Sequence, residues 1–224
     1  MESLDIQEPV VEALYAGKLQ TLMPEGQQTG IFKDPIPSAE INELGIVGDI
    51  QADKRVHGGV DKALHQYALS SYQTIAQHYP ELSGIAVAGS IGENLSSKGL
   101  DDKNVHIGDI YEIGSVLLQV SQPRSPCWKI NHRFDTHLLS QFIAEHYITG
   151  WYYRVLRSGK IHVGDPIKPL ERFGQSLSIA EFNRIVTSHR PLPEVLAQAA
   201  QCSGLAMDWK NRLDHRIEYL NKNL

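Results

Sequence analysis

The sequence predicts a mainly β fold: a β-barrel with inserted helices over residues 1–173, followed by a small three-helix module over residues 174–224. Three observations carry this. Short β-rich runs separated by turn residues recur at close spacing as far as ERFGQSL, residues 171–177, which is the pattern of a barrel or sandwich. After Gly174 the apolar residues change from alternation to helical spacing. At 224 residues and 42% hydrophobic, the chain can bury about 70% of its unfolded surface, so one domain plus an appendage needs no disulfide or metal staple.

Val11, Ala13 and Tyr15 alternate ahead of Gly17 and predict a half-buried strand, and a second short strand is expected before Pro35 and Pro37. Helices are expected near residues 70–78 and 136–147. The clearest strand pair is DIYEIGSVLLQVSQ, with Gly114 and Ser115 at the hairpin turn. Val116, Leu118 and Val120 then share one face, and Leu117, Gln119 and Ser121 the other. YYRVLRSGKIHVGD predicts a further hairpin turning at Ser158 and Gly159. In the tail, Ser178 and Glu181 form a capping box with Leu177 and Phe182 as its staple. A second helix runs from about Pro193 to Cys202 and stops at Gly204, and a third carries Trp209, Leu213, Ile217 and Leu220 on one face.

Composition excludes several classes. With 21 Lys and Arg against 26 Asp and Glu, the net charge is -5, so a protein built to bind nucleic-acid polymers is not expected and any anionic ligand must find a local positive patch. Two cysteines, Cys127 and Cys202, cannot build an all-cysteine iron–sulfur cluster. MESLDIQEPVVEAL lacks a basic n-region, and no run approaches the about 18 apolar residues of a membrane helix. The expected address is the cytoplasm, with no membrane association.

Candidate chemistry gathers in two places. Between Glu112 and Asp135 there is no acidic residue, while Arg124, Lys129 and Arg133 surround Cys127. Neighbouring cations favour the thiolate, and Pro123 and Pro126 stiffen the backbone beside it, so Cys127 is a candidate nucleophile or soft-metal ligand; packing as a small hydrophobe fits the same spacing. Cys202, at the end of an apolar helical face, reads as core. The second place is GDIQADKRVHGGVDKALHQY, residues 48–67, where Lys54, Arg55, His57 and Lys62 bracket Gly58 and Gly59. Backbone amides and cations there could converge on a phosphate, although a lone HGG is more often a tight turn with solvated charges and the Gly-Lys-Ser/Thr signature is absent. His57 and His65 fall short of a zinc ligand set. Gly92-Glu93-Asn94-Leu95 alone says nothing.

Taken in order, LGIVGDIQADKRVHGGVDKALHQY, then GENL, then NVHIGDIYEIGSVLLQVSQPRSPCWKI resemble a MOSC domain, the family related to the C-terminal domain of molybdenum cofactor sulfurases. The resemblance covers roughly residues 10–170, and the tail resembles the C-terminal module of the bacterial N-hydroxylaminopurine-resistance branch. It implies a β-barrel holding the molybdenum cofactor, a pyranopterin dithiolene with a terminal phosphate, with Cys127 as the molybdenum ligand. By the same matching Lys54, Arg55, His57, Gly58, Gly59, Lys62 and Arg124 face pterin and phosphate, and Asn94, Gln119 and Ser121 are polar contacts near the metal. Cys127 and His57 would be the catalytic pair, His57 as a proton relay. The implied activity is reduction of N-hydroxylated bases and amines to the parent amine. A separate flavin or iron–sulfur reductase would supply electrons, since this chain holds no cluster, and pyridoxal phosphate is not expected. The alternatives are a carrier using Cys127 as ligand or persulfide, and a hydrolase pairing Cys127 with His57 or His132. The tail could form a homodimer surface or pack onto its own barrel.

Overall fold

Residues 8–50 and 58–222 are described by a computed structural model. The first strand is β1 (Val11–Gly17), followed by a small hairpin of β2 (Gln20–Leu22) and β3 (Gln27–Thr29), then β4 (Lys33–Ile36), β5 (Ser38–Asn42) and β6 (Gly45–Ile46). β7 (Leu64–Ala68), β8 (Leu95–Ser97), β9 (Ile110–Ile113), β10 (Val116–Pro123), β11 (Trp151–Arg157), β12 (Gly159–His162) and β13 (Ile167–Glu171) complete the strands. The short strand expected before the proline pair runs through Pro35 itself.

Eight strands form one sheet in the order β13-β9-β10-β11-β7-β8-β1-β4, antiparallel except for the β7–β8 pair. The mainly β class holds, but the barrel does not close. Both edge strands carry a proline, Pro35 in β4 and Pro169 in β13. A proline has no N–H for a further ladder, so the edges stay unjoined. The sheet still curls far enough that the chain entering β1 meets the chain entering β13: Val11 N donates to the Asp165 carbonyl at 2.9 Å and Ile167 N to that of Pro9 at 2.7 Å.

The hairpin expected at Ser158 and Gly159 is absent. β12 pairs with β5 instead, Gly159 opposite Ile41 and His162 opposite Ser38. Only Ser158 separates β11 from β12, fewer than the two residues a tight hairpin needs. The Ser115 N–H, which donates to the Lys160 carbonyl at 3.1 Å, and the Ser115 hydroxyl, which accepts from Lys160 N at 2.8 Å, draw the new strand across the β9–β10 turn. That turn forms as expected, with Val116 opposite Ile113 and with Val116, Leu118 and Val120 buried.

Helices α1 (Leu69–His78), α2 (Trp128–Phe134) and α3 (Leu139–Glu145) cover one apolar cluster that includes Tyr67, Tyr72, Ile75, Ile130, Phe134 and Phe142. The tail folds as α4 (Ile179–Thr187), α5 (Pro193–Ala200) and α6 (Met207–Lys222). The capping box is present: the Ser178 hydroxyl accepts from Glu181 N at 3.1 Å, and the Glu181 carboxylate accepts from Ser178 N at 2.9 Å. Ile179, Phe182, Leu196, Cys202 and Leu213 join Val105, Ile107 and Val120 in a single apolar cluster, so the tail packs onto its own sheet. Two contacts hold the start of α6 and the turn before it. A β-bulge between Val120 and Gln122 turns the Ser121 carbonyl toward Ala206 N, 2.9 Å away. Gly204, at φ 81°, lies against Gly108; a Cβ there would stand 2.8 Å from the Gly108 Cα. Among the described residues no helix is long and apolar enough to cross a membrane.

Replacing Ser178 with alanine should lower stability by about 1 kcal/mol, read as a lower urea midpoint at unchanged m-value. An unchanged midpoint would show that the capping box does not hold the tail helix start.

Candidate functional site

β10 leaves the core through Pro123 and Arg124 and reaches Cys127, whose extended backbone (φ -123°, ψ 161°) caps the start of α2. The Cys127 thiol is unpaired and half-buried. Arg124 is only 6% exposed. Its backbone N–H donates to the Gly150 carbonyl at 3.0 Å, while its Nη1 is buried with no hydrogen-bond partner among the described residues. Gly150 is in turn fixed by Asp102, whose Oδ1 accepts from Thr149 N at 2.8 Å, Gly150 N at 3.0 Å and the Thr149 hydroxyl at 3.1 Å. Burial pushes the Asp102 carboxyl up to about 7 against the pull of those donors.

A cleft of about 610 Å³, counting its solvent-open mouth, lies on one side of Cys127. Its described walls carry four cations, Lys33, Lys62, Arg124 and Lys129, against one acid, Asp49. Lys33 Nζ lies 2.6 Å and 2.5 Å from the two Asp49 oxygens, both side chains being almost fully buried. Burial pushes the Lys33 ammonium down and the Asp49 carboxylate opposes this. Asp49 also accepts from Gly17 N at 2.7 Å and from Asn94 Nδ2 at 2.9 Å. Asn94 Oδ1 accepts from His65 N at 3.1 Å, so the Asn94 amide is locked into the cleft wall. Tyr152 shares a hydrogen bond with Arg124; burial raises its phenol above the usual range, with Arg124 opposing, so it stays protonated near neutral pH.

On the other side of Cys127 is a second cleft, of about 790 Å³ with its open mouth. Cys127, Lys62 and Tyr152 belong to both clefts. The remaining described walls are Gln122, Ser125 and Pro126 after the bulge, and Asp208, Trp209 and Arg212 from the first turns of α6.

Of the residues singled out in the sequence, the structure brings together Cys127, Arg124, Lys129, Lys62, His65 and Asn94. Lys54, Arg55 and His57 lie outside the described residues. Gly58 and Gly59 lead into a single 3₁₀ turn, Val60–Lys62, and line neither cleft. Gln119 lines neither: its Nε2 donates to the Gly108 carbonyl at 3.3 Å and its Oε1 accepts from Arg154 at 2.9 Å. The Ser121 hydroxyl donates to the Asp61 carbonyl at 2.5 Å and reaches that of Tyr152 at 3.0 Å, tying the 3₁₀ turn to the sheet. His132 Nε2 is engaged with Glu25 at 2.9 Å and the Met23 carbonyl at 2.9 Å. Sequence reasoning missed Lys33, Asp49, Tyr152 and the α6 residues as parts of the site. No local signal marks them, since each reaches the site through pairing with a distant segment.

The MOSC domain profile matches residues 53–168. Protein YiiM of Escherichia coli (strain K12) is 37% identical, over 94% of this chain and 96% of its own. The crystal structure of YiiM from Geobacillus stearothermophilus superposes with a TM-score of 0.78 at 30% identity, covering 93% of this chain and 99% of that one. A protein named reductase from Gibberella moniliformis (strain M3125 / FGSC 7600) is 37% identical over 70% of this chain, which spans only 28% of that longer protein.

Asp102 generates a pH prediction. A carboxyl held at about 7, above its ordinary 3.8, contributes stability that is full below the ordinary value and lost as pH rises through 7. Asp102→Asn should therefore flatten the fall in melting temperature between about pH 4 and about pH 7, removing a slope of at most about 1.4 kcal/mol per pH unit. Parallel profiles for the two proteins would rule the buried carboxyl out as the source.

Proposed function

Because the chain belongs to the MOSC domain family, we propose that its first cleft holds the molybdenum cofactor and that the protein reduces N-hydroxylated bases and amines to the parent amines. The observation that carries this reading is Arg124: a guanidinium nine-tenths buried, with one nitrogen unpartnered, in a cleft of four cations and one acid that ends on a thiol. A buried donor left unmatched costs stability, and an anionic group in the cleft removes that cost. The donor set agrees. Among the described residues no group of three His, Cys, Asp or Glu could hold a metal ion. A soft thiolate suits molybdenum carrying dithiolene sulfurs.

In this reading Cys127 ligates the metal, and Arg124, Lys62 and Lys129 receive the pterin and phosphate, with Lys54, Arg55 and His57 completing the anion site. Asn94 presents an amide whose orientation Asp49 and His65 fix. Bound there, the cofactor supplies the two-electron chemistry by which R–NHOH, two electrons and two protons become R–NH2 and water. Tyr152 Oη, on the wall of both clefts, holds one proton for the departing hydroxyl, and His57 relays the other. Electrons come from a separate flavin or iron–sulfur reductase, because two cysteines cannot build an all-cysteine cluster. The reductase name of the fungal relative supports redox chemistry. The half-exposed Cys127, open to a second cleft, gives a substrate somewhere to sit, which a carrier would not need.

Protein made in a cofactor-producing host should contain roughly one molybdenum per chain, and Cys127→Ala less than about a tenth of that. Arg124→Ala should lose more metal than Lys222→Ala, whose side chain is on the exposed end of α6. Metal retained without turnover of an N-hydroxylated substrate and added donor would convert the assignment to a carrier. Metal in neither protein after reconstitution with isolated cofactor would overturn it.

A further inference from the structure

Asp102 uses only one of its two oxygens to fix the Thr149–Gly150 corner. Three donors converge on Oδ1, which leaves that oxygen no room for a proton. A proton on the carboxyl therefore rides on Oδ2, which is buried and has no hydrogen-bond partner among the described residues. With burial holding the group at about 7, and Asp101 on the same segment raising it further, the carboxyl can both keep and release a proton near neutral pH.

From Asp102 a row of buried titratable side chains, Tyr67, His65 and Tyr152, runs along one face of the sheet to the first cleft. Gly150, whose N–H bonds to Asp102, lies against the first two: a Cβ there would stand 2.8 Å from Tyr67 Cδ2 and 3.0 Å from His65 Nε2. Tyr67 and His65 are two residues apart in β7 and so share a face, with ring centroids 6.2 Å apart. Tyr152 is the partner of His65 in the β11–β7 register, with centroids 5.3 Å apart, and its phenol bonds to Arg124. Of the charges acting on the Tyr67 phenol, Asp102 is the strongest, with Glu93 adding to it and Arg124 opposing.

We propose that this row is an internal proton path, with Asp102 as the store that resupplies the cleft at Tyr152 during N–O cleavage, an inference that rests on the reductase reading above. Asp102 touches neither substrate nor cofactor and acts through Tyr152. The step balances: two electrons from the external flavin or iron–sulfur donor break the N–O bond, the oxygen leaves as water with the proton of Tyr152 Oη, and the nitrogen takes the second proton. The row then passes the Asp102 proton to the tyrosinate, and the carboxylate regains one from water before the next turnover.

The first test does not depend on turnover. Infrared difference spectra of the full-length protein should show the carbonyl band of a protonated, buried carboxyl that fades as pH rises through about 7, and Asp102→Asn should lack it. In the metal-loaded enzyme kcat should fall about tenfold per pH unit above that value, and Asp102→Asn should be at least about tenfold slower at about pH 6, without that limb, at unchanged KM and molybdenum content. Tyr67→Phe, which keeps the ring, should retain the band and slow kcat by a similar factor, so the proposal stays testable if Asp102→Asn disturbs folding. Absence of the band, a wild-type kcat without the limb, or an Asp102→Asn enzyme slowed by one factor at every pH overturns the proposal, the last because it is the mark of a residue that only fixes the corner. A wild type without molybdenum or turnover fails the reductase reading, whereas a loaded, active one whose limb survives Asp102→Asn refutes only the proton path.

Discussion

The buried carboxylate of Asp102 directs one oxygen at three donors on the Thr149–Gly150 corner, and that corner aims the Gly150 carbonyl at the backbone of Arg124. Gly150 sits at φ 72°, where a Cβ would stand 2.5 Å from the Gln66 carbonyl oxygen, so only glycine lets the corner pack against β7. With its backbone held there, Arg124 places its guanidinium beside Tyr152, and the following Ser-Pro-Cys segment has little freedom in where it delivers the thiol. The site at Cys127 is thus built from the sheet outward through hydrogen bonds to a carboxylate far from the cleft in sequence.

The same strand fixes the opposite side of the thiol. Ser121 occupies the bulge of β10, and its carbonyl holds the start of α6 while its hydroxyl holds the 3₁₀ turn that carries Lys62. One irregular residue therefore joins three segments whose side chains meet around Cys127. An unbulged strand would keep that carbonyl in the β10–β11 ladder and leave α6 without its anchor. Gln119, two residues earlier, packs under the same loop beside Gly204. The polar face of β10 thus supports the helix module, where the sequence suggested polar contacts to a metal.

What could be read from the sequence was local. The Ser178–Glu181 capping box and the Gly114–Ser115 turn depend on residues within a few positions of one another, and each forms as written. The misread hairpin failed because the partner of β12 is β5, more than a hundred residues away, and strand-pairing preference is not encoded in either strand alone. Helix α2 escaped notice because seven residues, beginning with an exposed Trp128, are too few to show a period. Lys33, Asp49 and Asn94 sit in three unrelated stretches and become a network only when β1, β4 and the chain entering β8 are neighbours.

That network also explains how charge is distributed in a protein with a net charge of -5. Lys33 contributes no uncompensated field to the cleft, because Asp49 lies against it at contact distance and both are shielded from water. Breaking such a pair by removing one partner leaves a buried charge, which is why its role is to fix Asn94 and the Gly17 backbone. Arg124 is the converse: equally buried, but with no carboxylate against it among the described residues and with Nη1 unmatched. An anion bound beside it would meet a donor already desolvated and positioned, and would avoid much of the ordering cost of recruiting a flexible surface cation. The thiol stands where this cation-rich cleft meets a second one walled by Gln122, Ser125 and the first turns of α6, so Cys127 belongs to the walls of both.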